Sequence, residues 1–364
     1  MLQKVEVNTL VVKISSRCNL NCDYCYIYNG KDDSWRSMPK LMNEETIDVL
    51  IKRIEELYEV QETKPSIVFH GGEPLLMDTK KLESFVSKIV KCIPEVLLSI
   101  QSNGTIYNKK LEELLVKYKK NLILSISVDG PKKWHDFYRK YINGKGSFDT
   151  IQENIQRFQK ESLVKNILTV VNTDYDPKEL LNFMKITNVP EYNIILRDAD
   201  YLTPPPSNRY TTGEWLCKLF AEYSSGEFNF DIKFIDDLTM QIYMLKNNIN
   251  KPNTTYTLCT ICIDTNGQIK QSDTFRINGE ASDSLGEDVT IHNSSIYSVA
   301  NGTKNKYYMQ IINNMPDDCK NCRYISTCGG GYPSHRYDGI SYNNPSIYCK
   351  DYLKLYEFIE NKLP

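Results

Sequence analysis

Ser16–Tyr28 reads S-R-C-N-L-N-C-D-Y-C-Y-I-Y and places Cys18, Cys22 and Cys25 in a C-x3-C-x2-C triplet. The apolar, β-branched run Thr9–Ile14 precedes it, so the triplet is expected on a loop leaving a first strand. Three thiolates on one short loop suit a Fe4S4 cube with one iron left open to another ligand. Zinc would more usually show two ligand pairs and a closed shell. A disulfide framework needs an even cysteine count and a secretory context, whereas this chain has 11 cysteines and no signal-like N-terminus in Met1–Val7. Three buried core cysteines are the remaining alternative.

The rest of the chain narrows the setting. At 364 residues it can hold about two domains. Its 44 basic and 46 acidic residues leave no general attraction to nucleic acid or to a membrane surface. No apolar run approaches the ~20 residues of a membrane span. The cysteine usage points to a reducing, cytoplasmic setting and to metal.

Asn29–Lys40 is polar and reads as a surface loop, with Trp35 either covering a cluster or packing as an ordinary aromatic. Asn43 can cap a helix carrying Ile47, Leu50, Ile51, Ile54 and Leu57 at helical spacing. Ile67–Phe69 then reads as a short strand ending in His70-Gly71-Gly72-Glu73-Pro74. Paired glycines let backbone approach a ligand closely, Glu73 can accept from an ammonium, and Pro74 fixes the turn. His70 is given no role. Helix 80–91, strand 96–101, helix 109–119, strand 122–128, helix 148–159, strand 166–171, helix 177–186 and strand 192–196 continue a repeated βα pattern. That pattern argues for a parallel sheet of about six βα units. Strand 96–101 ends in Ser102-Asn103-Gly104. Strand 122–128 runs into S-V-D-G-P-K-K-W-H-D-F-Y-R, Ser127 to Arg139. Polar groups at the carboxyl ends of parallel strands are where α/β ligands bind. His135 reads as a brace of the loop–helix junction.

Cys259 and Cys262 form a C-x2-C before a hairpin-like segment, 263–275, turning at Asn266-Gly267. Cys319, Cys322, Cys328 and Cys349 follow with spacing C-x2-C-x5-C-x20-C. Four thiolates suit one fully ligated Fe4S4 cluster or one zinc ion. Cys92 and Cys217 lie on helical stretches and read as core residues.

The triplet with Tyr24 before its last Cys, the G-G-E-P turn and the S-x-D-G-P…H-D-x-x-R run resemble the radical S-adenosylmethionine (SAM) enzymes. The resemblance implies a partial (βα)6 barrel whose [4Fe-4S] cluster, held by Cys18, Cys22 and Cys25, binds SAM. The reduced cluster splits SAM to a 5′-deoxyadenosyl radical. It assigns SAM contacts to Tyr24, Gly71, Gly72, Glu73, Pro74, Ser102, Asn103, Ser127 and Arg139. An Arg fork at Arg139 suits a carboxylate bidentately. The C-terminal quartet followed by G-G-G resembles the SPASM auxiliary-cluster domain and decides there for iron. The family's first auxiliary cluster lacks ligands here: Ser272-Asp273 and Tyr332 stand where cysteines are usual, leaving Cys259 and Cys262 as candidates. Asp273 falls where sulfatase-maturing relatives place a catalytic base, against the alternative of a solvent-facing hairpin acid.

C-G-G-G-Y-P-S-H-R-Y at 328–337, Q-S-D-T-F at 271–275 and the 16–39 stretch are similar to Phe-Xaa-Ser-type peptide maturases, several of which form three-residue cyclophanes. The resemblance implies a barrel over 1–205, a helical bridge over 206–254 and an auxiliary domain over 255–364. The expected function is oxidative crosslinking of a ribosomally made precursor peptide, with a reductant such as flavodoxin or ferredoxin. No leader-binding domain precedes the barrel, so leader recognition is expected elsewhere. Thioether formation, epimerisation and formylglycine formation stand as other reactions, and a non-catalytic iron–sulfur or zinc protein as another class.

Overall fold

The computed structural model describes residues 4–206, 209–249 and 256–364. In chain order the strands are β1 (Lys4–Ser15), β2 (Leu20–Cys22), β3 (Ser66–Gly71), β4 (Leu98–Ser102), β5 (Leu122–Ser127), β6 (Arg139–Tyr141), β7 (Val164–Val170), β8 (Glu191–Ile195), β9 (Asp231–Ile232), β10 (Tyr256–Ile263) and β11 (Ile269–Gln271). The helices are α1 (Glu44–Val60), α2 (Thr79–Cys92), α3 (Lys109–Lys117), α4 (Lys132–Tyr138), α5 (Phe148–Gln159), α6 (Pro177–Thr187), α7 (Thr212–Ser225), α8 (Lys233–Lys246), α9 (Ile296–Ala300), α10 (Thr303–Asn313), α11 (Ile325–Cys328) and α12 (Cys349–Lys362). The chain divides into two compact units that interleave along the sequence: residues 1–127, 139–165 and 254–309, and residues 128–138, 166–253 and 310–364. The expected boundary between 254 and 255 lies outside the described residues.

In the first unit the strand order is β11-β10-β1-β3-β4-β5. β1 pairs in parallel with both β10 and β3, and within this strand order only β10–β11 is antiparallel. The parallel strand β10, drawn from the last third of the chain, was not foreseen from sequence. The hairpin with its Asn266-Gly267 turn is present, but its second limb stops at Gln271.

The parallel register decides which side chains share a face. Leu10 pairs with Ile67 and Val12 with Phe69, and all four are fully buried. Phe85 of α2 packs on Phe69 with ring centroids 5.0 Å apart. Each such aromatic contributes roughly 1.5–3 kcal/mol by burial. Alternation then sends Val11, Lys13, Val68 and His70 to the opposite face. Ile100 pairs with Phe69 and Gln101 with Ser125, so Gln101, Ser125 and Ser127 join that second, polar face. α1 begins as expected: the Asn43 side chain accepts from the Thr46 N–H at 2.8 Å, a cap that contributes about 1 kcal/mol.

In the second unit β7 and β8 pair in parallel and β9 extends them. Helix α12 packs against α7 and α8. Cys217 of α7 is buried, but Cys92 is exposed, a correction to the core reading. It is the last residue of α2, beyond the buried turns that end at Ile89. Among the described residues no helix is long and apolar enough to cross a membrane.

Candidate functional site

The cysteine triplet leaves β1 as expected. Cys18 and Cys25 flank the short strand β2, which ends at Cys22 and pairs antiparallel with β6, so that Cys22 stands opposite Arg139. The two motifs, far apart in sequence, therefore form one structural piece. Arg139 Nη1 donates to Tyr24 Oη at 2.8 Å. Gly72 N–H donates to Ser15 O at 2.9 Å and Glu73 N–H to Arg17 O at 2.8 Å, which staples the G-G-E-P turn onto the triplet loop. Only glycine fits there. A Cβ on Gly71 would stand 1.9 Å from Ser15 O, and one on Gly72 1.9 Å from Tyr28 Oη.

Glu73 is fully buried. Its carboxylate accepts from Ser102 Oγ at 2.8 Å, from Leu75 N–H at 3.0 Å and from Asn103 N–H at 2.7 Å. Burial lifts its pKa to about 7, even though these donors and the Arg139 charge pull it down. Two carboxylate oxygens offer about four acceptor sites, so capacity for a ligand ammonium remains. Asn103 Nδ2 donates to Asn19 Oδ1 at 2.8 Å and lies 3.6 Å from Cys18 Sγ. Pro74 starts a one-turn 3-10 helix, and Ser127 ends β5 on the polar face. Trp35 packs edge-on against Tyr28 at 4.8 Å between the Arg17 and Arg36 guanidinium groups.

Beside this lies a buried charge cluster that sequence reasoning missed, apart from Asp273. The Asp273 carboxylate accepts from Tyr26 Oη at 2.8 Å and pairs with Lys13 Nζ at 3.2 Å. His70 Nδ1 lies 4.0 Å from the same oxygen, and the His70 side chain keeps 24% of its surface exposed. Asp273 is thus not the solvent-facing hairpin acid: it opens the 3-10 helix 273–278 and is buried. Burial opposes its charge, yet Lys13, His70 and Arg276 hold the carboxyl well below its ordinary range. Burial, with Lys13 and Arg276, pushes the His70 imidazolium down, and Asp273 only partly offsets this. Behind them Arg276 bridges Asp264 at 2.8 Å, Asp283 at 2.7 Å and Asp32 at 3.5 Å, while Lys270 stands 3.4 Å from Asp283. The signal in the sequence was Lys13 inside the apolar run Leu10–Ile14.

Cys259 and Cys262 both lie on β10. Three residues apart on an extended strand, they point to opposite faces. Cys259 neighbours Asn305, whereas Cys262 neighbours Asp273 and Lys13. The structure does not bring them together as a ligand pair.

His135, fully buried, accepts from the Asp129 N–H at 3.3 Å through Nδ1, the bracing read from sequence. In the second unit the four thiols of the quartet interact with one another electrostatically. The Cys349 thiol is raised by burial and then by the nearby Cys319, Cys328 and Cys322. Gly329, Gly330 and Gly331, all at positive φ (60°, 81° and 73°), curl the loop after Cys328. No cysteine is in a disulfide among the described residues. Among the same residues, no three Cys, His, Asp or Glu side chains stand close enough to hold a single metal ion. A cube instead takes thiolates at separate corners. The triplet fits one: the Cys18 thiol, raised to about 12 by burial, also feels Glu73, Cys22 and Cys25. Metal binding displaces such protons.

Residues 12–185 match the model of the Radical SAM superfamily. A cysteine-type anaerobic sulfatase-maturating enzyme of Clostridium novyi is 28% identical over 375 residues, covering 98% of this chain and 96% of that protein. A serine-type anaerobic sulfatase-maturating enzyme of Bacteroides thetaiotaomicron is 25% identical over 397 residues, covering 96% and 88%. The solved structure of native anSMEcpe with bound AdoMet and Cp18Cys peptide superimposes with a TM-score of 0.78 at 22% identity, over 97% of both chains. Streptococcus suis SuiB bound to precursor peptide SuiA gives 0.67 at 15%, over 93% of this chain and 74% of that one. At those identities the likeness shows the fold, an α/β radical SAM fold with a mostly parallel sheet. With its cysteine triplet bound to a glycine-glycine-glutamate turn, the segment 12–185 matches the radical SAM superfamily, and the chain is an enzyme that uses SAM and a [4Fe-4S] cluster.

Proposed function

We propose that the enzyme oxidises a peptide or protein substrate by two electrons, removing two hydrogens. The observation that carries this reading is the Asp273–His70–Lys13–Tyr26 group on the polar face of the sheet, next to the SAM motifs. Cys18, Cys22 and Cys25 would hold the cluster, Glu73 would take the ammonium of SAM, and Arg139, oriented by Tyr24, would take its carboxylate. Bound there, cluster and SAM supply the abstraction of a hydrogen atom from a substrate C–H bond. Completing an oxidation requires the loss of one proton and one electron more. The proton needs an acceptor. Asp273, held ionised by Lys13 and Tyr26, is a weak one, and a neutral imidazole beside that anion is a better one. His70 accepts the proton and Asp273 stabilises the resulting imidazolium. The electron leaves to a one-electron acceptor, and flavodoxin or ferredoxin is the class of reductant that resets the enzyme.

Two products satisfy this balance. The Cys328–Cys349 stretch supports a side-chain-to-ring crosslink, and the full-length similarity to sulfatase-maturating enzymes supports formylglycine. Incubation with candidate peptides tests the reading. The product should be lighter by two hydrogens, about two daltons. A fragmentation gap spanning an aromatic residue and one two positions on identifies the crosslink; the same loss confined to one Ser identifies formylglycine, and on Cys the two-electron-oxidised thioaldehyde is hydrolysed by water with release of hydrogen sulfide, so that the net loss there is about eighteen daltons. Unchanged mass with solvent deuterium incorporated would instead mean epimerisation and would refute the oxidation. His70→Gln should form less product per SAM cleaved. In the wild type that ratio should fall as pH drops through the depressed His70 pKa, because only the neutral ring accepts a proton.

A further inference from the structure

Among the described residues, two buried arginines differ in their pairing. Arg276 is 3% exposed and bonded to carboxylates on three sides. Arg336, in the second unit, is 1% exposed and has no carboxylate partner among the described residues. Its Nη2 donates to the carbonyls of Ile311 and of Asn314, the latter at 3.3 Å, and its Nε to Tyr342 O at 3.1 Å. Nη1 is buried with no hydrogen-bond partner. It lies against the glycine loop that follows Cys328, 3.3 Å from where a Cβ on Gly330 would stand. A guanidinium does not shed its proton to escape burial, so an anion must compensate it. The anionic group that acts on it is in the cysteine quartet: Cys319 interacts electrostatically with Arg336. Asp318, the other charge acting on Cys319, opposes it.

We infer that Arg336 is the built-in counter-cation of an iron–sulfur cluster on Cys319, Cys322, Cys328 and Cys349, and that it raises the reduction potential of that cluster. The inference rests on reading the quartet as an iron–sulfur site. Four thiolates around a [4Fe-4S] core carry a net charge of about −2 oxidised and about −3 after one-electron reduction. A fixed positive charge therefore favours the reduced form and makes the cluster a better electron acceptor. Arg336 touches no substrate. It acts through the cluster, by charge and by the three carbonyl bonds that fix its place.

The test uses the full chain with Cys18, Cys22 and Cys25 changed to Ala, so that iron is held at the quartet alone. Redox titration with dithionite, followed by electron paramagnetic resonance, reads the midpoint potential directly and needs no peptide substrate. Arg336→Gln should shift the midpoint to a more negative value, and Arg336→Lys, which keeps the charge, should stay near the parent. A variant set in which Lys loads iron and Gln does not also supports the charge requirement. An unchanged midpoint in Arg336→Gln, a Lys variant that behaves like Gln, or failure of both to load iron would overturn the inference. A parent that holds zinc or no metal would instead overturn the cluster reading of the quartet, and the inference with it.

Discussion

The two cysteine sites differ in what surrounds the sulfur. Around the triplet stand a buried carboxylate with a pKa of about 7, amides of Asn19 and Asn103, and the Arg139–Tyr24 pair: groups suited to hold a small zwitterion. Around the quartet stand a fourth thiol, a glycine loop and an uncompensated guanidinium. Three thiols with a receptor make a site that binds and cleaves. On the reading proposed above, four thiols with a counter-charge would make a site that stores an electron. The ligand count sets the difference, and the neighbouring charges sharpen it.

The largest effect that would break this comparison is removal of the triplet. Cys18, Cys22 and Cys25 changed together to Ala should abolish 5′-deoxyadenosine formation while leaving about four irons per chain. Undiminished SAM cleavage, followed chromatographically, would end the division of labour. Next comes Gly72→Ala, whose Cβ would meet Tyr28 Oη at 1.9 Å and Arg17 O at 2.3 Å. Overpacking of that kind costs about 1–3 kcal/mol, so SAM cleavage should drop roughly tenfold or more, with the quartet's iron unchanged. Arg276→Met strips the cation from Asp264 and Asp283. It should destabilise the fold by about 3–5 kcal/mol in chemical denaturation, because each carboxylate is left buried with fewer partners.

A smaller effect concerns pH. Glu73 must be ionised to take an ammonium, and its pKa of about 7 means that it protonates as pH falls through neutrality. SAM affinity measured by calorimetry should weaken about tenfold from pH 8 to pH 6. Glu73→Gln should flatten that dependence. A wild-type profile already flat over this range would show that Glu73 does not meet the ammonium.

Much of the triplet site was legible because its residues come in contiguous motifs at strand ends, where short spacing fixes geometry. Strand and helix limits fell within about two residues for most of the βα pattern, since apolar alternation marks buried faces. What stayed hidden came from combining distant segments. Lys13, Tyr26, His70, Asp273 and Arg276 lie on four separate stretches, and no local pattern announces that they meet. Cys259 and Cys262 show the opposite case: C-x2-C suits a shared ligand on a turn, but on a strand it splits the two thiols between faces. Arg336 gave no signal beyond its closeness in sequence to Cys328. Its meaning comes from burial without a carboxylate.

The central claim, one SAM-binding cluster and one fully ligated cluster, is tested most directly by a single paired measurement. Anaerobically reconstituted wild-type protein is assayed for iron, reduced with dithionite, and its paramagnetic resonance spectrum recorded with and without SAM. The account predicts about eight irons per chain and two overlapping signals, of which SAM perturbs one and leaves the other unchanged. About four irons, or two signals that both respond to SAM, would contradict it.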